Sequence, residues 1–488
     1  MKAYLNQINE VIAKGRYKDT WESLQNYRVP LRYEQAKFGI FIHWGVYSVP
    51  AFGSEWYPRN MYMQGSPEFE HHRKTYGEHK EFGYKDFVPM FKAEKFNAKE
   101  WAELFKAAGA QYVMPVAEHH DGFQMYDSEL SEWNAAKKGP ERNILGELFE
   151  AFDENNLVCC ASTHRVEHWF FMGHGKFFES DVKEPLKRGD LYWPAAPEQD
   201  QFDSFSEPYP TEEFLEDWLV RCCELVDKYR PKIVYFDWWI HHESVKPYLR
   251  KFMAYYYNRA EEWGEEVVVN YKHDAVAFGA AVPDIERGQF AQPKPYIWQT
   301  DTAVANNSWC YTEGNQYKKP EQIICDFVDI VSKNGRLLLN IGPKSDGTIP
   351  EEDKNILLTI GEWLKVNGEA IYGAKTWRTS AEGPTEIVEG HFTDMDAKAF
   401  TAEDFRFTVN NGCIYATCLN MNGKDSVHIK SLAQTSDMLK TAFSGIIKNV
   451  EVLGYDKNPE WTHDKEGLKV KTVKMDTVLP VVFKVTVN

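Results

Sequence analysis

Five short apolar runs in this chain each end in a cluster of polar or ionisable side chains. They occupy residues 38–45, 111–123, 156–169, 232–239 and 266–274. Continuous apolar runs are typical of parallel strands that are buried on both faces. Polar residues at the carboxyl ends of such strands are typical of the catalytic mouth of a (β/α) barrel. The pattern therefore predicts an α/β enzyme with one composite site.

The polar residues at these strand ends are the first candidates for that site. They are His43 on the first run, Glu118, His119, His120 and Asp121 on the second, His164, Arg165, Glu167 and His168 on the third, Asp237 on the fourth, and Asn270, Lys272 and Asp274 on the fifth.

Composition narrows the class of partner. A net charge of −17, from 73 acidic and 56 basic residues, argues against a polyanionic partner such as nucleic acid. Aromatic residues make up 15% of the chain, which suits a cleft with flat apolar faces of the kind that sugar rings prefer, although aromatic cores account for much of that content.

The cysteines and the N-terminus bear on localisation. The eight Cys residues include two adjacent pairs inside apolar segments, which favours buried free thiols. The sequence has no C-x-x-C pair, so a thiolate zinc site is not expected. The first residues lack an apolar signal region, and no stretch reaches the roughly 18 apolar residues of a membrane span. We therefore expect a cytoplasmic protein with no membrane partner, although a secreted form whose signal was removed would read the same.

The sequence pattern of the chain changes near residue 374. Before it, amphipathic helical stretches at 98–110, 211–231, 319–335 and 350–373 alternate with apolar runs, as in βα units. After it, short alternating stretches with an Asn-Gly turn at 411–412 predict antiparallel hairpins. We predict a catalytic (β/α) barrel over residues 1–373 and a C-terminal antiparallel β-sandwich over 374–488.

Asp237 is the sharpest single candidate. It follows a fully apolar strand, and Trp238 and Trp239 after it would wall a pocket. A carboxylate in that place can attack the anomeric carbon of a sugar or hold a cation. The alternative is an Asp that caps the following loop.

Glu286 is the candidate for a second catalytic carboxyl group. A retaining glycosidase needs such a group about 5–5.5 Å from its nucleophile. Asp284 competes for this role, because alternate residues of a strand share a face. An ion pair of Glu286 with Arg287 on a surface turn is an equally plain interpretation of the same segment.

The histidines allow two interpretations. His119 and His120, with His168, could bind a metal ion, and His164 and His168 are four residues apart as in some zinc sites. Uncharged His side chains that hydrogen-bond to sugar hydroxyls fit better beside many Trp residues. Glu55 and Trp56, in a loop after the first strand, would lie at the same mouth as His43.

Several segments resemble glycoside hydrolase family 29, the retaining α-L-fucosidases. They are KFGIFIHWGVYSVPAFGSEWY (37–57), EHHDGFQMYDS (118–128), STHRVEHW (162–169), VYFDWW (234–239) and SKNGRLLLNIGPKSDGTIP (332–350). The resemblance implies an irregular (β/α)8-like barrel followed by a β-sandwich.

The resemblance also implies roles for individual residues. It places the nucleophile on Asp237 and fucose recognition on His43, Glu55, His119 and His120. A further list of expected sugar contacts comprises Trp56, His164, Lys272 and Trp298.

The position of the acid/base residue varies within that family, and Glu286 is our choice. This sequence has Lys272 where many members carry Arg, and Gln299 where several carry Glu. The second difference removes a competing carboxylate.

The resulting hypothesis is an exo-acting α-L-fucosidase that works by double displacement and needs no metal or cofactor. The expected partner is a fucosylated oligosaccharide or glycoconjugate, and homo-oligomer formation stays open. The alternatives are a metal-dependent barrel hydrolase that uses the His cluster, and a fucose-binding relative without turnover. Linkage preference and transglycosylation are left open.

Overall fold

A computed structural model describes residues 1–395, 399–421, 423–437 and 439–488. Its larger sheet is parallel and closed, because its strands follow the order β1-β9-β8-β7-β6-β5-β4-β2-β3 and β1 also pairs with β2. The strands are β1 (Phe38–Ile42), β2 (Tyr112–Glu118), β3 (Val158–Cys159), β4 (Ala161–Thr163), β5 (Ile233–Phe236), β6 (Val268–Lys272), β7 (Val282–Glu286), β8 (Trp298–Ala303) and β9 (Gly335–Ile341). Since β3 and β4 are consecutive and both pair with β2, the barrel has eight strand positions.

Helices surround the barrel unevenly. They are α1 (Lys2–Lys14), α2 (Trp21–Leu24), α3 (Leu31–Gln35), α4 (Tyr57–Asn60), α5 (Pro67–Thr75), α6 (Ala98–Ala107), α7 (Ile144–Glu154), α8 (His168–Phe171), α9 (Glu212–Tyr229), α10 (Lys246–Trp263), α11 (Pro320–Ser332) and α12 (Glu351–Asn367). Residues 273–281 and 287–297, all of them described, contain no helix, which makes the barrel irregular. The four helices predicted from periodicity correspond to α6, α9, α11 and α12.

Local chemistry defines the ends of α9, the helix that leads into β5. The Thr211 hydroxyl accepts a hydrogen bond from the Phe214 N–H at its start, which satisfies a free backbone donor. At its end Arg230 adopts a left-handed conformation, and Pro231 follows. The chain can then enter β5 and bring Asp237 to the barrel rim.

Below the rim, most of the inside of the barrel is apolar or aromatic, with a small hydrogen-bonded group of Asn270, Asp284 and Gln299 among the apolar side chains. A buried cluster fills it and comprises Tyr33, Ala36, Phe41, Tyr112, Met114, Val116, Cys160, Ile233, Tyr235, Val268, Val282 and Leu338. Because this packing closes the interior, polar groups concentrate at the carboxyl ends of the strands.

The rest of the chain forms two antiparallel sheets that share one hydrophobic core. Their strands are β10 (Lys375–Glu382), β11 (Phe405–Asn410), β12 (Cys413–Cys418), β13 (Ser426–Ile429), β14 (Ile447–Val452), β15 (Glu460–Asp464), β16 (Gly467–Lys471) and β17 (Val481–Val487). Asn411 and Gly412 both have positive φ and join β11 to β12 in the predicted tight turn. The predicted fold class, a barrel followed by a β-sandwich, is confirmed. Among the described helices, none has the length and apolarity that a membrane crossing requires.

Candidate active site

A cavity of about 270 Å³ opens at the carboxyl ends of the barrel strands. Nine of the ten predicted site residues line it: His43, Glu55, Trp56, His119, His120, His164, Asp237, Lys272 and Glu286. The cavity also has lining residues that the sequence did not single out, namely Phe41, Gln201, Phe202, Tyr235, Asp301, Trp309 and Phe392.

Asp237 is the first residue after β5 and lies on the cavity wall. Its Oδ2 accepts a hydrogen bond from His164 Nδ1 at 3.1 Å, and its Oδ1 accepts one from Lys272 Nζ at 3.2 Å. Burial by itself would raise the pKa of Asp237, but the Lys272 ammonium and the bonds from His120 and His164 hold it well below its usual range. The side chain keeps 15% of its surface exposed. It is therefore an accessible carboxylate that stays ionised.

Lys272, at the end of β6, joins the acidic groups of the cavity. Its ammonium is 2.6 Å from Glu286 Oε2 and 3.4 Å from Asp301 Oδ2, in addition to its contact with Asp237. Burial would lower the pKa of Lys272, but these carboxylates raise it well above the usual range. The Lys272 ammonium thus contacts three carboxyl groups, which cannot all be ionised without excess negative charge around it.

Glu286, the last residue of β7, has a raised pKa in this group of carboxyl groups. Its Oε2 accepts hydrogen bonds from Lys272 and from the indole N–H of Trp238. Burial raises the pKa of Glu286 to about 7; the Lys272 ammonium opposes the rise and the Asp237 carboxylate adds to it. Glu286 can therefore hold a proton near neutral pH.

Three of the four cavity histidines favour the neutral state. Burial lowers the pKa of His43, His119 and His164. His43 Nδ1 donates to Asn340 Oδ1 at 2.6 Å, because the amide nitrogen of Asn340 already donates to a carbonyl. That tautomer leaves Nε2 of His43 as an acceptor, so this ring can receive a hydrogen bond from a ligand hydroxyl.

His120 differs from the other three. Its Nδ1 donates to the His164 carbonyl, and its Nε2 lies 3.4 Å from Asp237 and 3.5 Å from Glu167. Burial opposes the charged form, but Glu167 and Asp237 together raise the pKa of His120 to about 9. Glu167 is itself buried, and burial raises its pKa to about 7.

Glu55 and Trp56 approach the cavity from the loop after β1. Glu55 Oε2 accepts a hydrogen bond from the Trp309 N–H at 3.1 Å, and burial raises the pKa of this carboxyl group. The Trp56 ring packs 5.4 Å from the ring of His120. This loop therefore covers one side of the His cluster with an aromatic face and a polar group.

The prediction for Trp298 is wrong. Trp298 is fully buried, and its indole N–H donates to the Lys333 carbonyl at 3.0 Å. It is the first residue of β8, and the first residues of parallel strands lie at the end of the barrel opposite the mouth. Asp301, three residues later, reaches the cavity instead.

Two other candidates occupy different places from those expected. His168 is buried outside the cavity lining, with its Nδ1 donating to the His120 carbonyl, so the proposed metal set of His119, His120 and His168 does not converge. Trp239 packs in the core behind the cavity, and only Trp238 walls it. The described residues do contain two triplets whose ligand atoms lie within 4.8 Å of one another: His43, His119 and His164, and His120, His164 and Asp237.

The competitors of Glu286 also separate from it. Asp284 shares its face of β7 but lies deeper, where its Oδ2 accepts a hydrogen bond from Gln299 Nε2 at 2.8 Å. Gln299 is likewise buried inside the barrel, so the position noted for Glu in related sequences is not at the cavity surface. Glu243, a further carboxyl group that follows β5, is not in the cavity lining and lines a neighbouring cleft.

Sequence reasoning missed lining residues for identifiable reasons. Asp301 lies within β8, whose sequence is largely polar, so the rule of apolar runs does not find it. Trp309 lies in a loop, and Phe392 comes from the region after β10, which showed no sign of chemistry.

A closed parallel barrel with ionised and protonated carboxyl groups at its mouth is an arrangement typical of barrel hydrolases. The family model described as alpha-L-fucosidase matches residues 4–369. The mouse tissue alpha-L-fucosidase is 30% identical over 98% of this chain and 95% of its own. The human plasma alpha-L-fucosidase is 34% identical over 76% of this chain and 75% of its own.

Solved structures agree with these relatives. The Thermotoga maritima alpha-fucosidase in complex with fucose superposes with a TM-score of 0.73 at 30% identity, covering 96% of this chain and 100% of that one. The same enzyme with a mechanism-based inhibitor gives a TM-score of 0.74 with the same coverage. The chain belongs to the alpha-L-fucosidase family, glycoside hydrolase family 29, and is a glycoside hydrolase.

Proposed function

We propose that this protein is an exo-acting α-L-fucosidase that removes terminal α-L-fucosyl residues from glycans with retention of configuration. Asp237 attacks the anomeric carbon and forms a covalent glycosyl-enzyme, while Glu286 gives its proton to the leaving oxygen. Glu286 then takes a proton from water, which attacks the same carbon and releases fucose from Asp237. The enzyme ends each cycle in its starting protonation state.

The observation that carries this proposal is the ammonium of Lys272 between two carboxyl groups of opposite character. Asp237 Oδ1 and Glu286 Oε2 contact the same nitrogen at 3.2 and 2.6 Å, so these two oxygens are closer together than the roughly 6.5–9.5 Å that separates the carboxyl groups of inverting enzymes. The environment lowers the pKa of Asp237 and raises that of Glu286 to about 7. A divergence of this kind assigns the base or nucleophile to one group and the acid to the other.

The remaining cavity residues fit recognition of a sugar ring. His43, His119 and His164 offer neutral rings, Glu55 offers a carboxyl group, and Trp56 offers an aromatic face. Among the described residues, Nδ1 of His119 is buried without a hydrogen-bond partner. A ligand hydroxyl would satisfy it.

The test is hydrolysis of an aryl α-L-fucoside by the wild type, Asp237→Ala and Glu286→Ala, each with and without azide. We expect both variants to lose turnover, with azide giving β-fucosyl azide from Asp237→Ala and α-fucosyl azide from Glu286→Ala. Glu243→Ala, which alters a carboxylate of the neighbouring cleft, is the matched control and should retain activity. Unchanged activity in Glu286→Ala would refute the acid/base assignment.

The same assay addresses the two other functions. Activity that disappears on chelation and returns with a metal ion would support a metal-dependent hydrolase at one of the His triplets. Binding of fucose without turnover by the wild type would support a silent relative.

A further inference from the structure

A short segment after β10 turns back to the barrel mouth, and we call residues 389–394 the return segment. Its backbone bonds to the end of β7 and the residues beyond it. The N–H of Gly390 donates to the Gln289 carbonyl at 3.1 Å, and the N–H of Asp394 donates to the Arg287 carbonyl at 2.9 Å. The segment therefore lies beside the residues that follow β7, with one isolated bridge at Gly390 and a turn after it.

Both backbone groups of Glu286 are bonded to this segment. The N–H of Phe392 donates to the Glu286 carbonyl at 2.9 Å, and the N–H of Glu286 donates to His391 Nδ1 at 3.0 Å. The His391 ring also stacks on His273 with a centroid distance of 4.6 Å, which limits its rotation. The backbone of the proposed acid is thus held by a residue 105 positions away in sequence.

The close approach depends on a glycine. A Cβ placed on Gly288 would lie 1.8 Å from the Gly390 carbonyl oxygen, a distance that no side chain can adopt without displacing the segment. The backbone of the return segment itself occupies the space that a side chain at position 288 would need.

An ion cluster anchors the end of the return segment. Asp394 Oδ2 accepts hydrogen bonds from Thr302 Oγ1 at 2.7 Å and from the buried Lys318 ammonium. Arg287 lies 3.6 Å from the same oxygen. Because Thr302 belongs to β8, the anchor connects the segment to the barrel wall and not only to the loop.

The segment also reaches the side chain of Glu286. The Phe392 ring stacks on Trp238 with a centroid distance of 5.7 Å, and the indole of Trp238 donates to Glu286 Oε2. The main chain and the carboxyl group of Glu286 are therefore fixed by two separate routes from one segment.

We propose that the return segment holds Glu286 in the orientation that protonates the leaving group, with His391 as the positioning residue. This rests on the proposed role of Glu286 as acid/base. His391 acts through a backbone bond and does not touch the substrate. The structural consequence is that a barrel enzyme depends on a residue from the region after its barrel.

The test compares His391→Phe with His391→Asn. Phe keeps an aromatic ring but offers no acceptor, whereas the side-chain oxygen of Asn can take the place of Nδ1. The readout is kcat/KM for 4-nitrophenyl and phenyl α-L-fucoside, since this parameter covers only the steps up to glycosyl-enzyme formation. A 4-nitrophenolate departs with little help from an acid, and a phenolate needs more.

We expect His391→Phe to lose about tenfold more on the phenyl than on the 4-nitrophenyl substrate, because a displaced acid is lost where protonation matters. His391→Asn should restore most of the difference. Gly288→Ala should reproduce the loss without altering any side chain of the site. Thermal unfolding of each variant shows whether it is folded.

An equal loss on both substrates, or none, in a folded His391→Phe variant would refute the positioning role. Glu286→Ala in the same assay separates this failure from that of the proposed function. If Glu286→Ala is selectively slow on phenyl α-L-fucoside and His391→Phe is not, only the positioning role is wrong. If Glu286→Ala shows no such selectivity, the acid/base assignment itself is wrong.

Discussion

Two groups of buried charges lie side by side in this barrel and differ in how they are matched. The first, which we call the buried ion network, consists of Glu118, Arg165, Asp217 and Arg221, with contacts of 2.8–3.1 Å. Each carboxylate faces both guanidinium groups, and none of the four side chains is more than 4% exposed. Arg188 adds a further contact to Asp217 at 3.1 Å, so guanidinium groups fully match both carboxylates, which leaves nothing to react.

The cavity has the opposite balance. Lys272 and His120, whose pKa is raised to about 9, face four carboxyl groups, those of Asp237, Glu286, Asp301 and Glu167. Glu286 meets the shortage of positive charge by keeping a proton to about pH 7. The difference shows that burial of charge alone does not mark a site. An unmatched charge that is open to a ligand does.

The largest expected effect comes from breaking the buried ion network. Arg221→Met should lower the free energy of unfolding by about 3–5 kcal/mol, because it removes one of the two buried guanidinium groups that Glu118 and Asp217 share and leaves Glu118 with Arg165 alone. The folded fraction should retain its activity on an aryl α-L-fucoside. Denaturant unfolding and active-site titration measure the two effects, and a stable Arg221→Met variant without activity would contradict the distinction between the groups.

Removal of the Lys272 ammonium should lower activity, whereas removal of Arg221 should lower stability. Lys272→Met should lower kcat/KM by about 100-fold, because Asp237 loses the charge that keeps it ionised and correctly placed. The acidic limb of the pH profile should move to higher pH, since the pKa of Asp237 rises. The control is Lys333→Met, which removes another buried lysine, paired with Asp329 away from the cavity. That variant should lose stability and keep its activity.

The pH dependence follows from the two carboxyl groups. Glu286 must be protonated to act as the acid, so kcat/KM should fall about tenfold per pH unit above about 7. The pKa of Asp237 is lowered, so the acidic limb should lie below the pH of about 3.9 at which an ordinary Asp titrates. Glu167→Gln removes the other carboxyl group of the cavity whose pKa is raised to about 7. Loss of the basic limb in that variant would assign the limb to Glu167.

The smallest effect is expected at a solvent-exposed pair. Lys14 and Glu10, with side chains 79% and 68% exposed, form a contact on α1. Lys14→Ala should leave the melting temperature and kcat/KM within experimental error, because water and salt screen such pairs. A clear drop in stability would show that exposed charge matters here as buried charge does.

The sequence predicted much of the site because strand ends are local features. An apolar run followed by polar residues indicates a buried strand and a rim, and this is how Asp237, Lys272 and His164 were found. The pattern could not sort neighbours along a rim. His119 and His120 face the cavity, whereas Glu118 belongs to the buried ion network.

The wrong prediction for Trp298 shows a related limit of sequence patterns. The sequence pattern did not show where β8 begins. An aromatic residue in this segment could therefore be placed at either end of the barrel. Phe392 and His391 could not be found from local sequence patterns, because nothing in the sequence around them indicates the barrel mouth.

The sequence by itself determined the family, five of the strand segments of the barrel, four of its helices, and most of the residues that meet at the mouth. These follow from periodicity and motifs that operate over a few residues. Only the tertiary structure decided which charges are matched, that Glu286 shares an ammonium with Asp237, and that a segment after the barrel holds Glu286. The physical reason is that a pKa and a hydrogen-bond partner depend on groups brought together from distant parts of the chain.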